Sequence, residues 1–481
     1  MNQVVESAAD PRRAQRLAYA YAGVAGVMMA IFLLRMPIQL TDSFTEFLIM
    51  QGRSLWDVIR PEFLAGPYVR PLRRGVIKIV FELSRGQYYW WFRGLHAVQL
   101  IVLFLLVVRI LRVRSIADAA VIPLTIATIA GSQTFADVVR EAFPINHFLT
   151  ILLCCAGAVS LAQSRGGKVV DATAVVLVAF SILTIESGLL VWVVLVTAYA
   201  IGWRGVSRGA LAACTLVFVS YFLLRFSIGQ GGLPGIDERS TGFGFSAADP
   251  EALKRAFGDR VWPFYIYNVV SAICCVLFAE PRGGLWLFTR AVVRGGLLPW
   301  QVLTVATSTL TNLVIGWSVG QRAQRWRRFE LDDGDRLMIL FLVLLPANAM
   351  FAAVYEKDVI LSPAGLFYAI AAAVAFRRLL FEEPPRLSLQ ARRVLVYAVV
   401  AVLATGWTVR SVGIHYRLRQ VARTDRNEWA YVSKWEAQQG IHLTDASRGI
   451  EQVLYDDAIW RVPSPPVVTS RLADRLFDPV Q

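Results

Sequence analysis

A chain of 481 residues that is 56% hydrophobic and only 17% charged, with a mean hydropathy of +0.51, has more apolar side chain than a soluble core absorbs. Its formal net charge of +14 would suit nucleic acid, but the arginines sit beside apolar runs rather than on one polar face, as membrane orientation and anionic lipid require. Apolar runs of membrane length also exclude a barrel, because each must satisfy its backbone within its own helix. The expected fold is an all-α, polytopic transmembrane bundle.

In chain order, Arg12, Arg13 and Arg16 precede a first apolar span at 17–38. No small-residue cleavage site follows, so it is read as a retained helix. A large loop over 40–93 comes next. Within it Arg70 to Arg85 reads as a helix with Leu72, Val76, Ile79, Val80 and Leu83 on one face and Arg73, Arg74 and Lys78 among the rest, which predicts a segment lying along the membrane surface. Further spans fall at 95–111, 116–131, 142–163, 169–185, 187–203, 209–228, 263–280, 297–319, 336–354, 361–380 and 394–412.

Arg-rich turns such as Arg109/Arg112/Arg114, Arg204/Arg208, Arg322–Arg328 and Arg377/Arg378 should be cytoplasmic under the positive-inside rule. They stay together only if 263–280 or 297–319 does not cross. The first, with Tyr265, Tyr267 and Asn268 and a proline at each end, is predicted to be re-entrant or interfacial. About eleven crossings follow, within an expected range of 11–13 membrane helices, with the N-terminus inside. Residues 1–412 form the membrane domain and 413–481 a short extracytoplasmic tail. The Gly-rich stretch 229–262 reads as a lid or a flexible connector. Cys154, Cys155, Cys214, Cys274 and Cys275 all lie in apolar stretches and read as small buried hydrophobes.

This topology collects the polar residues of interest at the outer face. Asp42 ends the first span and Glu46 follows one turn later, a pair able to act as general base and acceptor orienter or to hold a divalent ion. Arg70, fixed by Pro71, suits two parallel hydrogen bonds to phosphate. Arg140 and Lys357 on other outer turns extend the cationic pocket. Glu186, in a short turn between two apolar spans, and His147, just inside the fourth, are functional candidates because ionisable groups at such depth are costly. No zinc-type Cys/His spacing, phosphate-cradling Gly-Lys loop or Ser-centred nucleophile elbow occurs.

Four stretches together resemble the GT-C superfamily of multispanning glycosyltransferases, especially bacterial members related to dolichyl-phosphate-mannose protein mannosyltransferases and tetratricopeptide-containing membrane mannosyltransferases. They are Asp42 after the first span, Tyr68-Val69-Arg70-Pro71-Leu72, Ile185-Glu186-Ser187, and Tyr355-Glu356-Lys357-Asp358 leading to Leu361-Ser362-Pro363-Ala364-Gly365. Lys357 stands where arginine is usual and Asp358 where an aromatic is. The resemblance implies a GT-C-like bundle in a bacterial inner membrane and inverting transfer of a sugar from a polyprenyl-phosphate donor. The acceptor is a cell-envelope glycan, lipid or protein at the extracytoplasmic face. Asp42 is the implied base, Arg70 and Lys357 lie near the donor phosphate, and Tyr68, Glu186 and Glu356 are placed by the same motifs around the substrates. No cofactor beyond a divalent metal is considered. The competing readings are a flippase for a polyprenyl-linked glycan and a catalytically silent relative in envelope assembly.

Overall fold

The computed structural model describes residues 11–64, 69–140, 147–228, 250–258, 260–280, 284–353, 358–381 and 389–463, and every regular element within them is helical. α1 (Pro11–Leu33) leads into four short helices, α2 (Thr41–Met50), α3 (Leu55–Ile59), α4 (Pro61–Leu64) and α5 (Pro71–Ser84). A capping box between Ser54 and Asp57 starts α3, and Pro71 at the first position starts α5, where its missing N–H costs nothing. α6 (Tyr88–Leu111) returns alongside α1. α7 (Ile116–Ala120), α8 (Ile122–Gly131) and α9 (Gln133–Arg140) form one path bent by 69° before Gln133.

α10 (His147–Ala162), α11 (Lys168–Ile182), α12 (Leu189–Ala200) and α13 (Arg208–Leu223) complete the first half. After α14 (Pro250–Phe257), α15 (Val261–Phe278) and α16 (Leu285–Arg294), four long helices follow: α17 (Pro299–Arg327), α18 (Asp333–Ala352), α19 (Ser362–Phe381) and α20 (Leu389–Glu428). Two short helices, α21 (Val432–Gln439) and α22 (Asp445–Arg461), follow α20.

Among the described residues, seven helices are long and apolar enough to cross a bilayer, or eight if the bent α7–α9 path counts as one. This is a multi-pass helical membrane protein. The number is below the 11–13 expected because several apolar runs fold as short helices. α10, α11 and α12 have 16, 15 and 12 residues, fewer than the roughly 20 that span the hydrocarbon upright. Their ends nevertheless meet opposite ends of the bundle. At one end the Gly205 N–H donates to Ala162 O and the Arg336 Nε–H to Ile201 O, while at the other the Leu72 N–H donates to Leu183 O at 3.1 Å. α15 reaches less far: Leu277 O near its end accepts from Asn312 at the middle of the 29-residue α17.

The first end is held by an arginine and aspartate network that the arginine count alone did not reveal. Asp335, fully buried, accepts from Arg322 at 3.1 and 2.7 Å, Arg378 at 2.7 Å and Trp326 at 2.6 Å. Asp333 takes Arg112 at 2.5 Å, with Arg336 and Trp203 at 3.2 Å each. The arginines predicted to mark one membrane face therefore also cement it, through Asp332-Asp333-Gly334-Asp335.

The opposite end carries a cap with its own apolar core, built from both ends of the chain. Phe44, Phe47, Ile77 and Phe92 pack with Trp429, Trp435, Ile450 and Leu454. Trp429 donates its indole N–H to Ile38 O at 2.8 Å, and Ser447 donates to Gln51 at 2.6 Å. α20 runs unbroken through the expected boundary at 412, so the tail continues a membrane helix and closes over the first loop.

On α5, Ile79 and Leu83 of the apolar face are 48% and 54% exposed, whereas Lys78, placed among the rest, is buried and donates to Met50 O at 2.8 Å and to Glu82. The helix turns its cations inward because α2 offers acceptors there. Ile79 and Leu83 face outward, a placement that costs little beside lipid, while Ile77 and Val80 pack into the cap.

Candidate functional site

The site grows from α2 and α5 facing each other inside the cap. Glu46, one turn after Asp42, is 6% exposed. Its Oε1 accepts from Arg73 Nη2 at 3.0 Å, and its Oε2 lies 3.6 Å from Arg74 Nε. Arg74 also reaches Glu62 of α4 at 2.8 Å. Burial pushes the Glu62 carboxyl above its ordinary value, and the neighbouring Arg74 and Arg73 reverse this only in part. Burial likewise draws the Arg73 guanidinium down, against the pull of Glu46. Sequence reasoning left Arg73, Arg74 and Glu62 out of the site. The signal was present: Arg73 and Arg74 stand three and four residues after Arg70, on the same side of a helix.

Arg70 sits at the N-cap of α5, and its planar fork meets Glu186 with Nε to Oε1 at 2.9 Å and Nη2 to Oε2 at 2.5 Å. Two residues expected to serve different substrates are thus direct partners. Glu186 opens a one-turn 3-10 helix between α11 and α12. That turn is tight: a Cβ on Gly188 would lie 2.1 Å from Ser181 O. The Tyr221 hydroxyl of α13 donates to Glu186 Oε1 at 3.4 Å, so three segments meet at one carboxylate.

Beside Arg73 a cavity of about 350 Å³ opens between α5, α6, α10 and α11. Arg73, His147, Gln99, Thr150 and Thr184 are among its polar lining, and Leu95, Leu153, Leu177 and Phe180 among its apolar walls. His147 is the first residue of α10 and is 5% exposed. Gln99 donates to Thr150 at 3.0 Å, which keeps two of the polar groups in fixed orientation. The lining is amphiphilic, one guanidinium with imidazole, amide and hydroxyl groups among hydrocarbon side chains.

Asp42 lies in the first turn of α2, four residues before Glu46, and its side chain lies outside the described part of the structure. Tyr68, Glu356 and Lys357 fall outside the described residues, as does most of the 229–262 stretch. Arg140 pairs with Asp425 of α20 at 3.8 Å, a contact separate from the Glu46 and Glu186 pairs. Asp358, from the fourth motif, is 7% exposed and bonded by Gln133 at 2.8 Å and Cys275 at 3.7 Å, so it joins α9, α15 and the start of α19. Gly365 in the same motif lets α19 pass α9, since a Cβ there would stand 2.1 Å from Thr134 Oγ1.

Among the described residues, no three His, Cys, Asp or Glu side chains converge as a metal ion would need. Glu46, one half of the carboxylate pair considered for a divalent ion, is engaged by Arg73 and Arg74. The fold and site define a multi-pass helical membrane protein with a charged, capped chamber at one end. Compared with protein-family models, curated proteins and solved structures, the chain shows no match.

Proposed function

We propose that the chain is a membrane glycosyltransferase that moves a sugar from a polyprenyl-phosphate donor to a cell-envelope glycan, lipid or protein. One observation carries the reading: Glu46, Arg70, Arg73, Arg74 and Glu186 gather beside a cavity whose polar part contains Arg73 and His147 and whose walls are hydrocarbon. Phosphate and prenyl chain ask for these two surfaces side by side.

In the proposed reaction the Asp42 carboxylate takes the proton of the acceptor hydroxyl as that oxygen attacks the anomeric carbon. The bond from that carbon to the phosphate oxygen breaks on the opposite side, its electron pair leaves with polyprenyl phosphate, and configuration inverts. Arg70 and Arg73 receive the developing phosphate charge, with Lys357 and Arg140 as further cations. Glu186 holds the Arg70 fork in place until phosphate replaces it. The pairing of Arg70 and Arg73 with carboxylates supports a second reading, a catalytically silent relative in envelope assembly, because it balances these charges without a donor.

The test is label transfer by wild type and Asp42→Asn, supplied with polyprenyl-phosphate sugars and an envelope extract. Transfer that vanishes in the variant while donor binding persists supports catalysis by Asp42. Saturable binding of polyprenyl phosphate without turnover of any donor moves the weight to the silent relative. Arg70→Ala should weaken polyprenyl-phosphate binding by about tenfold or more, the loss of one charge-assisted pair, and leave acceptor affinity unchanged; equal donor affinity in the variant removes Arg70 from the phosphate site.

A further inference from the structure

A second concavity, of about 470 Å³, lies between α1, α8 and α20 and shares no lining residue with the cavity beside Arg73. On α1 it extends from Tyr21 to Phe32, roughly 16 Å of helix at 1.5 Å per residue. Small side chains, Ala25, Ala127 and Ala130, line it, so it is a slot where a larger residue would leave a filled surface. Arg419 and His415 of α20 also line it, together with Phe32 near the end of α1, and no lining residue is acidic. That end leads toward the cap, where hydrocarbon gives way to head groups.

The polar end has a defined hydrogen-bonding character. His415 Nδ1 lies 2.5 Å from Ser411 O, and a carbonyl only accepts, so Nδ1 carries the proton and donates. In the neutral ring Nε2 is then a bare acceptor. It is buried and has no hydrogen-bond partner among the described residues, and the ring is held edge-on by Phe32 at 4.5 Å. One turn further, Arg419 is exposed and presents a cation.

From this we infer that the slot binds one membrane lipid of a particular chemistry: an anionic phosphodiester whose head group also carries a hydroxyl. The acyl chain lies along Ala25, Ala127 and Ala130, the phosphate faces Arg419, and the head-group hydroxyl donates to His415 Nε2. An anionic lipid without a hydroxyl satisfies Arg419 alone, and a zwitterionic lipid satisfies neither group fully. This assignment is independent of glycosyl transfer, because no residue of the proposed reaction lines the slot.

Native mass spectrometry of the purified full chain tests it, after exchange into mixed micelles holding one of three lipids with matched acyl chains. Phosphatidylglycerol has the charge and the hydroxyl, phosphatidylmethanol only the charge, and phosphatidylcholine is zwitterionic. Wild type should retain one phosphatidylmethanol about fivefold better than phosphatidylcholine, the effect of one arginine near one head-group charge, and phosphatidylglycerol better than either. Arg419→Ala should abolish the preference of phosphatidylmethanol over phosphatidylcholine. His415→Phe should abolish only the preference over phosphatidylmethanol. Ala127→Trp should fill the slot and lose the retained lipid. Equal retention of the three lipids by wild type, or preferences unchanged in Arg419→Ala and His415→Phe, would overturn the proposal. Because Arg419 is exposed, its variant keeps the test decisive even if Ala127→Trp does not fold.

Discussion

Arg70 and Glu186 are 116 residues apart in the chain and share two hydrogen bonds. Removing one partner leaves the other half-buried without its counter-charge, so Glu186→Gln should destabilise the cap end by about 1–2 kcal/mol, between an exposed pair and a fully buried one. Arg70→Lys should lose most of the same energy although the charge is kept, since an ammonium cannot make the fork. A double-mutant cycle followed by thermal unfolding in detergent measures both; additive single and double variants would show that the pair does not couple. The types of these residues were legible in the sequence, because a guanidinium before proline and a carboxylate between apolar spans both stand out. Their pairing was not, since it depends on how α5 docks on the turn after α11. The omission of Arg73 and Arg74 has the same origin, because only the position of α2 decides which side of α5 is inside.

At the scale of elements, helix positions were read well where apolar runs were long and poorly where packing, not lipid, sets the length. α10 to α12 are short because tight turns end them, as at Gly188 and at Gly205, where a Cβ would stand 2.1 Å from Leu161 O. The closest approach of α8 to α20 also depends on glycine: a Cβ on Gly131 would lie 2.6 Å from Trp407 O. Gly131→Ala should therefore separate the two helices and cost about 1–3 kcal/mol. Gly23→Ala on α1, where the added atom meets nothing within 4 Å, should be neutral or slightly stabilising. Melting temperatures of the two variants check the contrast, and equal shifts would mean that the approach at Gly131 does not limit packing. At the other end, Asp335→Asn leaves Arg322 and Arg378 without their shared buried carboxylate and should cost about 3 kcal/mol or more, read in the same melts.

The whole molecule has unlike ends, one fastened by arginine and aspartate, the other closed by a cap over a chamber. The sequence made the helical membrane class plain, while the cap escaped it because its core joins segments with no shared pattern. Trp429 is 2% exposed and meets Phe44 edge-on at 5.4 Å. Trp429→Ala should cost about 3 kcal/mol and make the 40–93 loop sensitive to protease while the bundle persists; cleavage no faster than in wild type would mean that the tail does not hold the loop. The Trp429 to Ile38 bond spans 391 positions, which has a consequence for synthesis. A nascent chain emerges from its N-terminus, so the first loop is made long before Trp429 and Trp435, which pack on Phe44. The first loop must wait, with Phe44 uncovered, until the helix that carries Trp429 has been translated, and a chain halted early carries a recognisable mark of its incompleteness.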